Sequence, residues 1–418
     1  MVVTIVVLLI LAGISLNLVL GQNGIISRAQ DARNQTVEGQ VNTEKAVNAL
    51  TDEMEDLISE NENSGSGSNT GNGGNSGGEN SGGSSSSGGS SSSGSTVDGV
   101  PIPAGFVYVG GTKASGLVIS DAAVDKEKYK GQTTVGTDLV GNQFVWIPVE
   151  NIADYKRTAY STNVATGTID STTNSEQIKY SNSSYYFTET LPADEKTSVE
   201  TNKGFYIGRY EAGDKESTNS KTLRASGAST SNTITVKAGQ APYNYIKYTD
   251  AKKLAEGFST KQKYTSVKSK LVSSYAWDTA IAFIQKTNSD YGNSSEEGNY
   301  GDSPTFTYTG IADTEKNKQT KANGTSTLIP TGQTTAVNNI YDMGGNVDEW
   351  TTEYSAVSGN HCANRGGCYG DDFADDPAGE RNSTSDDANV YRRIQVHFIF
   401  VDLSPGFSEL KFSRNKNP

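Results

Sequence analysis

The chain has 418 residues, 33% of them hydrophobic, with 45 Gly, 2 Cys, 2 His and a formal net charge of −13. Two cysteines exclude a disulfide-stapled scaffold and a cysteine-rich metal centre, and two histidines leave little for a His-ligated metal or a His-based triad. The acidic balance, with no stripe dense in Lys and Arg, argues against nucleic acid as a partner, because neutralising phosphates needs clustered cations.

Met1 to Leu20 reads MVVTIVVLLILAGISLNLVL, without a charged side chain and with only Thr4, Ser15 and Asn17 as polar interruptions. About 20 residues of helix span a hydrocarbon core of roughly 30 Å. Residues 1–20 are therefore expected to be a transmembrane helix rather than a cleaved signal, which has a charged start and a small-residue cleavage site. Over residues 21–61, Val37, Val41, Val47, Leu50, Met54 and Leu57 recur mostly at steps of three and four among charged side chains. That spacing predicts an amphipathic helix continuing from the anchor. Residues 62–96 read as a linker: from Ser64 to Ser95 the composition is Gly, Ser and Asn apart from Thr70 and Glu79, the one charge. So few apolar groups cannot offset the entropy of ordering. A flexible chain of that length has an end-to-end distance of about 30 Å, enough to hold the next domain off a membrane.

Ordinary core-forming sequence begins near Val97. Strand character appears at Phe106–Val109, Gly116–Ser120, Gln143–Pro148 and Gly204–Tyr210, separated by Gly, Asn and Asp. Helices are expected over Asp250–Glu256 and about Val267–Gln285, the second carrying Leu271, Trp277, Ile281 and Ile284 on a helical period. Ser/Thr/Asn-rich stretches at about 157–200 and 286–328 read as long surface excursions. Scattered short strands with two helices predict an α+β fold rather than alternating βαβ units.

The most specific stretch is Asn339 to Trp350, N-I-Y-D-M-G-G-N-V-D-E-W, followed by Arg365-Gly366-Gly367. It resembles the G-N-V-x-E-W and R-G-G signature of the formylglycine-generating, or sulfatase-modifying-factor, family. Phe144–Pro148, Gly204–Glu211, Pro242–Ile246 and Trp277-Asp278 fall in the order in which that family places its equivalents. The resemblance covers residues 97–393 and implies a C-type-lectin-like α+β domain with much irregular structure. It also implies a calcium ion on Glu349 with the carbonyls of Gly344, Gly345 and Val347, oxygen donors that calcium accepts. Alternatively, Glu349 pairs with a buried Arg such as Arg365. The hydrophobic-then-amphipathic start resembles type IV pilin-like proteins over about sixty residues, although their Gly-Phe-Thr-Leu-x-Glu processing motif is missing.

Formylglycine-generating enzymes oxidise a substrate cysteine with copper held by two cysteines shortly after R-G-G-S, because soft thiolates select Cu(I). Aligned on Arg365-Gly366-Gly367, those positions fall near Asp371 and Asp376, and Cys362 and Cys368 bracket the motif in a different register. No copper and no oxidase activity are expected. His361 and His397 lie in no nucleophile–base context. Asp371, Asp372, Asp375 and Asp376 read as a solvated acidic loop, lacking the glycine and terminal Glu of an EF-hand.

What remains is a binding surface. Between Ser358 and Asp387, variable-looking residues surround fixed-looking Arg365-Gly366-Gly367, Gly370 and Arg381-Asn382-Ser383. Many, including Asn, Asp, His, Tyr, Cys and Ala, have codons reachable from AAY by changing adenines alone. That resembles the variable proteins of diversity-generating retroelements, which vary a C-terminal surface on a lectin-like scaffold. The candidate ligand-binding residues are Asn360, His361, Asn364, Tyr369, Asp371, Asp372, Phe373, Asp375, Asp376 and Glu380. The expectation is a bacterial, single-pass membrane protein with an extracellular domain that binds a protein or glycan. An oxidase and a minor pilin-like component are the alternatives.

The ending departs from the resembled family, whose last strand begins Gly-Phe-Arg. Arg393 to His397, Arg-Ile-Gln-Val-His, can be written AGG ATT CAG GTC CAC, and a one-base shift reads GGA TTC AGG TCC AC, or Gly-Phe-Arg-Ser-Thr. Residues 394–418 are thus expected to be an aberrant, frameshifted and irregular tail; the competing expectation is a genuine strand over Ile394–Val401. The gene's nucleotide sequence tests this: the shifted frame is expected to encode Gly-Phe-Arg, and codons that do not permit it rule the frameshift out.

Overall fold

The computed structural model describes residues 95–172, 176–214, 234–293, 296–310, 318–386, 394–395 and 398–402. The expected transmembrane helix, the amphipathic helix and nearly all of the linker lie outside these residues. Among the described residues no helix is long and apolar enough to cross a membrane.

The domain is mixed α and β, with two large sheets and three α-helices among the described residues. In chain order the strands and helices used below are β1 (Val107–Gly110), β2 (Val118–Ser120), β3 (Gln143–Pro148), β4 (Gly167–Asp170), β5 (Gln177–Tyr180), β6 (Tyr186–Thr188), α1 (Ala193–Asn202), β7 (Gly204–Gly208), α2 (Tyr248–Lys261), β8 (Val267–Leu271) and α3 (Ser274–Ile284). There follow β9 (Phe306–Thr309), β10 (Lys318–Lys321), β11 (Asp348–Val357), β12 (Asn360–Arg365), β13 (Arg381–Thr384), β14 (Ile394–Gln395) and β15 (Phe398–Asp402). The six-stranded sheet runs β8-β15-β7-β3-β2-β1, all antiparallel. The other large sheet runs β13-β12-β11-β6-β5-β4, with β14 added parallel to β11.

The strand β3 shows why the six-stranded sheet is central. Its sequence QFVWIP has no polar alternation, as expected where both faces are covered. Phe144 and Trp146 join one apolar cluster, which also holds Phe258 of α2 and Trp350 of β11. Val145 and Ile147 join another, with Trp277 and Ile281 of α3. The sheet therefore sits between α2 and α3. On α2 the buried Ala251, Leu254, Ala255 and Phe258 follow the helical period. On α3, Ser273 caps the N-terminus, its side chain accepting from the Ala276 N–H at 3.1 Å; Glu189 accepts from the Ser274 N–H beside it at 2.8 Å.

Four sequence expectations change here. Val267–Leu271 is a strand and not the first turns of a helix: Val267, Ser269 and Leu271 are buried while Lys268 and Lys270 point outward, a period of two. The 157–200 stretch contains β4, β5, β6 and α1 rather than a featureless excursion. The 286–328 stretch likewise contains the β9–β10 hairpin. Finally, the expected irregular tail is extended backbone at Ile394–Gln395 and Phe398–Asp402. β15 pairs on both of its edges, Phe398–Asp402 against β8 and Ile399–Phe400 against β7. The competing expectation of one strand over Ile394–Val401 is met only in part, since Ile394–Gln395 and Phe398–Asp402 are separate strands in different sheets. Residues 403–418 lie outside the described residues.

The motif that begins at Asn339 packs as a set of turns beneath the sheet. Asp342 is buried and accepts from the Gly332 N–H at 2.6 Å and the Thr334 hydroxyl at 3.3 Å. Burial pushes its carboxyl up to about 7, despite those donors. A folded-state value above the unfolded one means a contribution to stability that is complete below about pH 4. That contribution disappears as pH rises through about 7, and it amounts to no more than about 4 kcal/mol. Denaturant titrations of wild type and Asp342→Asn at pH 4, 5.5 and 7 are expected to show a downward slope with rising pH that the variant flattens; parallel profiles would show that Asp342 does not titrate in this range.

Candidate binding surface

The candidate residues lie on the β11–β12 hairpin and on the loop of residues 366–380 between β12 and β13. That loop leaves from Arg365 and returns at Arg381, which face each other across the β12–β13 ladder. Both guanidinium groups are fully buried and converge on two carboxylates. Arg365 donates to Asp278 at 2.7 Å and Arg381 donates to the other oxygen of Asp278. Arg381 also donates to both oxygens of Glu353, at 3.0 and 2.9 Å. Arg157 completes the group, donating to Glu353, to the Phe187 carbonyl at 3.0 Å and to the Glu176 carbonyl at 2.7 Å. Burial alone would raise Glu353, but Arg381, Arg157 and Arg365 outweigh it and hold the carboxyl at about 2. Arg365 thus pairs with Asp278 and, at 3.9 Å, with Glu353, rather than with Glu349.

Above this cluster the loop backbone is held at short intervals. The Tyr300 hydroxyl and the Gly345 N–H both donate to the Gly366 carbonyl, at 2.9 and 2.8 Å. The Tyr369 N–H donates to the Asn346 carbonyl, the Gly301 N–H to the Asp371 carbonyl, and the Phe373 N–H to Asp302 at 3.1 Å. The Asn163 N–H donates to the Ala374 carbonyl and the Trp277 indole to that of Ala378, both at 2.9 Å. Gly366 and Gly367 have φ of 96° and 67°. A Cβ on Gly366 would stand 2.5 Å from a Glu349 oxygen, and one on Gly367 2.3 Å from the Asp376 carbonyl. Only glycine fits either place.

The candidate residues divide into three groups. Asp372 and His361 are exposed, and Asn360, Tyr369, Asp371, Phe373, Asp375, Asp376 and Glu380 are half-exposed. His361 stacks on Tyr354 at 5.0 Å with an interplanar angle of 9° and contacts the Ser355 carbonyl at 3.0 Å through Nδ1. Asp371 also has a local task, accepting from the Cys368 N–H at 2.8 Å. Asn364 departs from the expectation: it is fully buried and donates to Asp348 at 2.9 Å, because its position on β12 faces inward. Three clefts, of about 650, 640 and 460 Å³, are lined by other parts of the domain, with none of the 366–380 loop among their described lining residues.

Sequence reasoning missed the carboxylates that fix the loop. Asp278 was legible only as part of Trp277-Asp278, and Glu353 stands among polar strand residues, so nothing local separates either from a solvated acid.

The two thiols sit in different surroundings and form no disulfide. Cys362 belongs to the apolar cluster of Trp350 and Phe258, where burial pushes its thiol up to about 11. Cys368 accepts from the Gly370 N–H at 3.4 Å, and burial, with Asp348 and Asp371 nearby, raises it further. Both thiols are held protonated, the opposite of the thiolate state that grips a soft metal.

Glu349 is fully buried beneath Gly366. Burial first, then Glu211, Asp348 and Asp342, raise its carboxyl well above the ordinary range. Among the described residues no group of three or more His, Cys, Asp or Glu is arranged to hold a metal ion. One carboxylate with the carbonyls of Gly344, Gly345 and Val347 still fits calcium in donor type, since calcium takes carbonyl oxygens, and binding would have to displace a proton.

No protein-family model matches the chain, and no curated protein matches it. Among solved structures, the chain is similar to one described as "Structure of PvdO from Pseudomonas aeruginosa". The two are 14% identical, with 64% of this chain and 98% of that one covered and a TM-score of 0.27; at that score the likeness defines neither fold family nor function.

The buried ion cluster makes a direct stability prediction. Removing one partner strands a buried charge, which costs about 3–5 kcal/mol. Glu353→Gln and Asp278→Asn are each expected to lower the unfolding free energy by that amount in urea titrations, while Asp372→Ala changes it by less than about 0.5 kcal/mol.

Proposed function

We propose that this protein is a non-catalytic binding protein, anchored in a bacterial membrane by residues 1–20. In this reading a flexible linker displays its C-terminal domain outside the cell. The domain is read as a C-type-lectin-like relative of the sulfatase-modifying factors, and its recognition surface is the 366–380 loop with the tip of the β11–β12 hairpin. One observation carries the reading: the loop's ends and backbone are fixed by buried ion pairs and hydrogen bonds, while Asp372 on the loop and His361 on β12 are exposed and Phe373 is half-exposed. Side chains on such a frame can change without cost to the fold, as recognition loops on rigid scaffolds do. Exposed and half-exposed polar and aromatic side chains along the loop suit a protein or glycan as partner.

The protonated, separately housed thiols, with Asp371 and Asp376 where the resembled oxidases carry cysteine, support a domain without copper chemistry. Calcium at Glu349 belongs to the reading as a structural ion. It would tie the Gly344–Val347 turn to β11 beneath Gly366 and so brace the loop.

Two measurements test this. The full chain in detergent, screened against protein and glycan arrays, is expected to find a partner whose binding falls at least tenfold in the Asp372→Ala, Phe373→Ala double variant at unchanged melting temperature. Oxygen consumption with copper and a cysteine-containing sulfatase peptide would overturn the non-catalytic reading. Millimolar calcium is expected to raise the melting temperature of wild type and not of Glu349→Gln; equal responses would remove calcium from the account.

A further inference from the structure

Away from the loop surface, two clefts of about 650 and 640 Å³ meet, and Glu297 and Thr335 line both. We propose that the joined groove is a second binding site, for an uncharged oligosaccharide. It goes beyond the loop surface, since no residue of the 358–387 stretch lines either cleft.

The chemistry of the lining selects the ligand. One arm presents Thr305, Thr307, Thr320 and Gln333 around Phe306. The other presents Thr133, Thr134, Thr287, Asn288 and Asn338. Hydroxyls and amides both donate and accept hydrogen bonds, as sugar hydroxyls do in return. Among the described residues no lysine or arginine lines either cleft, and the charges lining them are the carboxylates Glu296 and Glu297. A sulfated, phosphorylated or uronic-acid chain would meet repulsion there, whereas paired sugar hydroxyls can donate to a carboxylate. The half-buried Phe306 ring supplies an apolar face for the C–H side of a sugar. Its position is set by Lys321, its cross-strand partner on the β9–β10 hairpin, whose buried ammonium lies 5.8 Å from the ring centroid.

The walls are also fixed in advance. Asn338 and Asn339 have φ of 51° and 63°, the left-handed pair of a tight turn closed by reciprocal hydrogen bonds between Val337 and Ile340. The Asn339 amide reaches the carbonyls of Ser115, Gly116 and Thr133, and its oxygen accepts from the Val135 N–H at 2.9 Å. The Thr287 hydroxyl donates to Asn338 at 2.6 Å, and Asn288 donates to Glu297 at 2.8 Å. Segments far apart in the chain are thereby locked into one trough. Pre-organisation lowers the ordering cost that a hydroxyl-lined site otherwise incurs on binding. A peptide would look instead for a run of apolar sub-pockets, and the apolar lining here is confined to Pro304, Phe306, Ala336 and Val337.

The test uses the full chain in a polyoxyethylene detergent, titrated calorimetrically with xylohexaose, chitohexaose, hexagalacturonate and an uncharged Gly/Ser dodecapeptide. At least one of the first two is expected to bind, with hexagalacturonate and the peptide at least tenfold weaker. Thr335→Arg, which fills the junction, and Phe306→Ala are each expected to weaken that binding at least tenfold with the melting temperature unchanged. Thr134→Trp serves as the blocking variant if Thr335→Arg does not fold. The Asp372→Ala, Phe373→Ala double variant is expected to titrate as wild type, which separates this groove from the loop surface. The proposal is overturned if neither uncharged hexasaccharide binds, if the blocking variants bind normally, if the loop variant loses the binding, or if the anionic sugar or the peptide binds equally well.

Discussion

Two carboxylates shared among three guanidinium groups hold both ends of the 366–380 loop in place. Asp278 comes from α3, Glu353 from β11, and the arginines from β12, β13 and the segment before β4. Charges this far from water are tolerable only when each has a partner. Here the partnering joins elements that backbone hydrogen bonds alone would leave independent: a helix under one sheet, the strands of another, and both feet of a fifteen-residue excursion, 366–380. The arrangement makes the loop's two ends part of the core's electrostatics.

Two asparagines extend the same logic with neutral groups. Asn346, at φ of 60°, donates to Glu211 and to the Ile329 carbonyl and accepts from Asn299 and the Ile329 N–H. Asn339 does comparable work at the other end of the motif, against the segments that carry Ser115 to Val135. A short side chain with an acceptor and two donors, on a backbone that tolerates positive φ, is well suited to joining irregular segments that lack a ladder. This explains how a domain with so much non-repetitive backbone keeps its turns in register.

Much of this was legible in the sequence, for identifiable reasons. Strand character was plain at Gln143–Pro148, which forms β3, and the α+β class followed from scattered short strands with two helices. What escaped was anything decided by a distant partner. Val267–Leu271 looked helical because Leu271 falls on the period of the helix that follows; only pairing with β15 makes the alternation of Lys268 and Lys270 decisive. The stretch from 157 to 200 lacks strong apolar runs, yet Ile178 and Phe187 suffice to seat its strands against Ala363. Asn364 looked like a surface amide, yet from Cys362 to Arg365 the strand is covered on both faces, so its amide is buried and bonds to Asp348.

The position of β15 carries a consequence for how the molecule is made. Of the six strands in its sheet it comes last in the chain, yet it lies between β8 and β7 rather than at a border. Until that stretch leaves the ribosome, two facing rows of peptide groups stay open, and open rows invite pairing with other chains. The sheet cannot close before β15 has been synthesised, so β8 and β7 wait with facing edges unpaired for the strand that joins them.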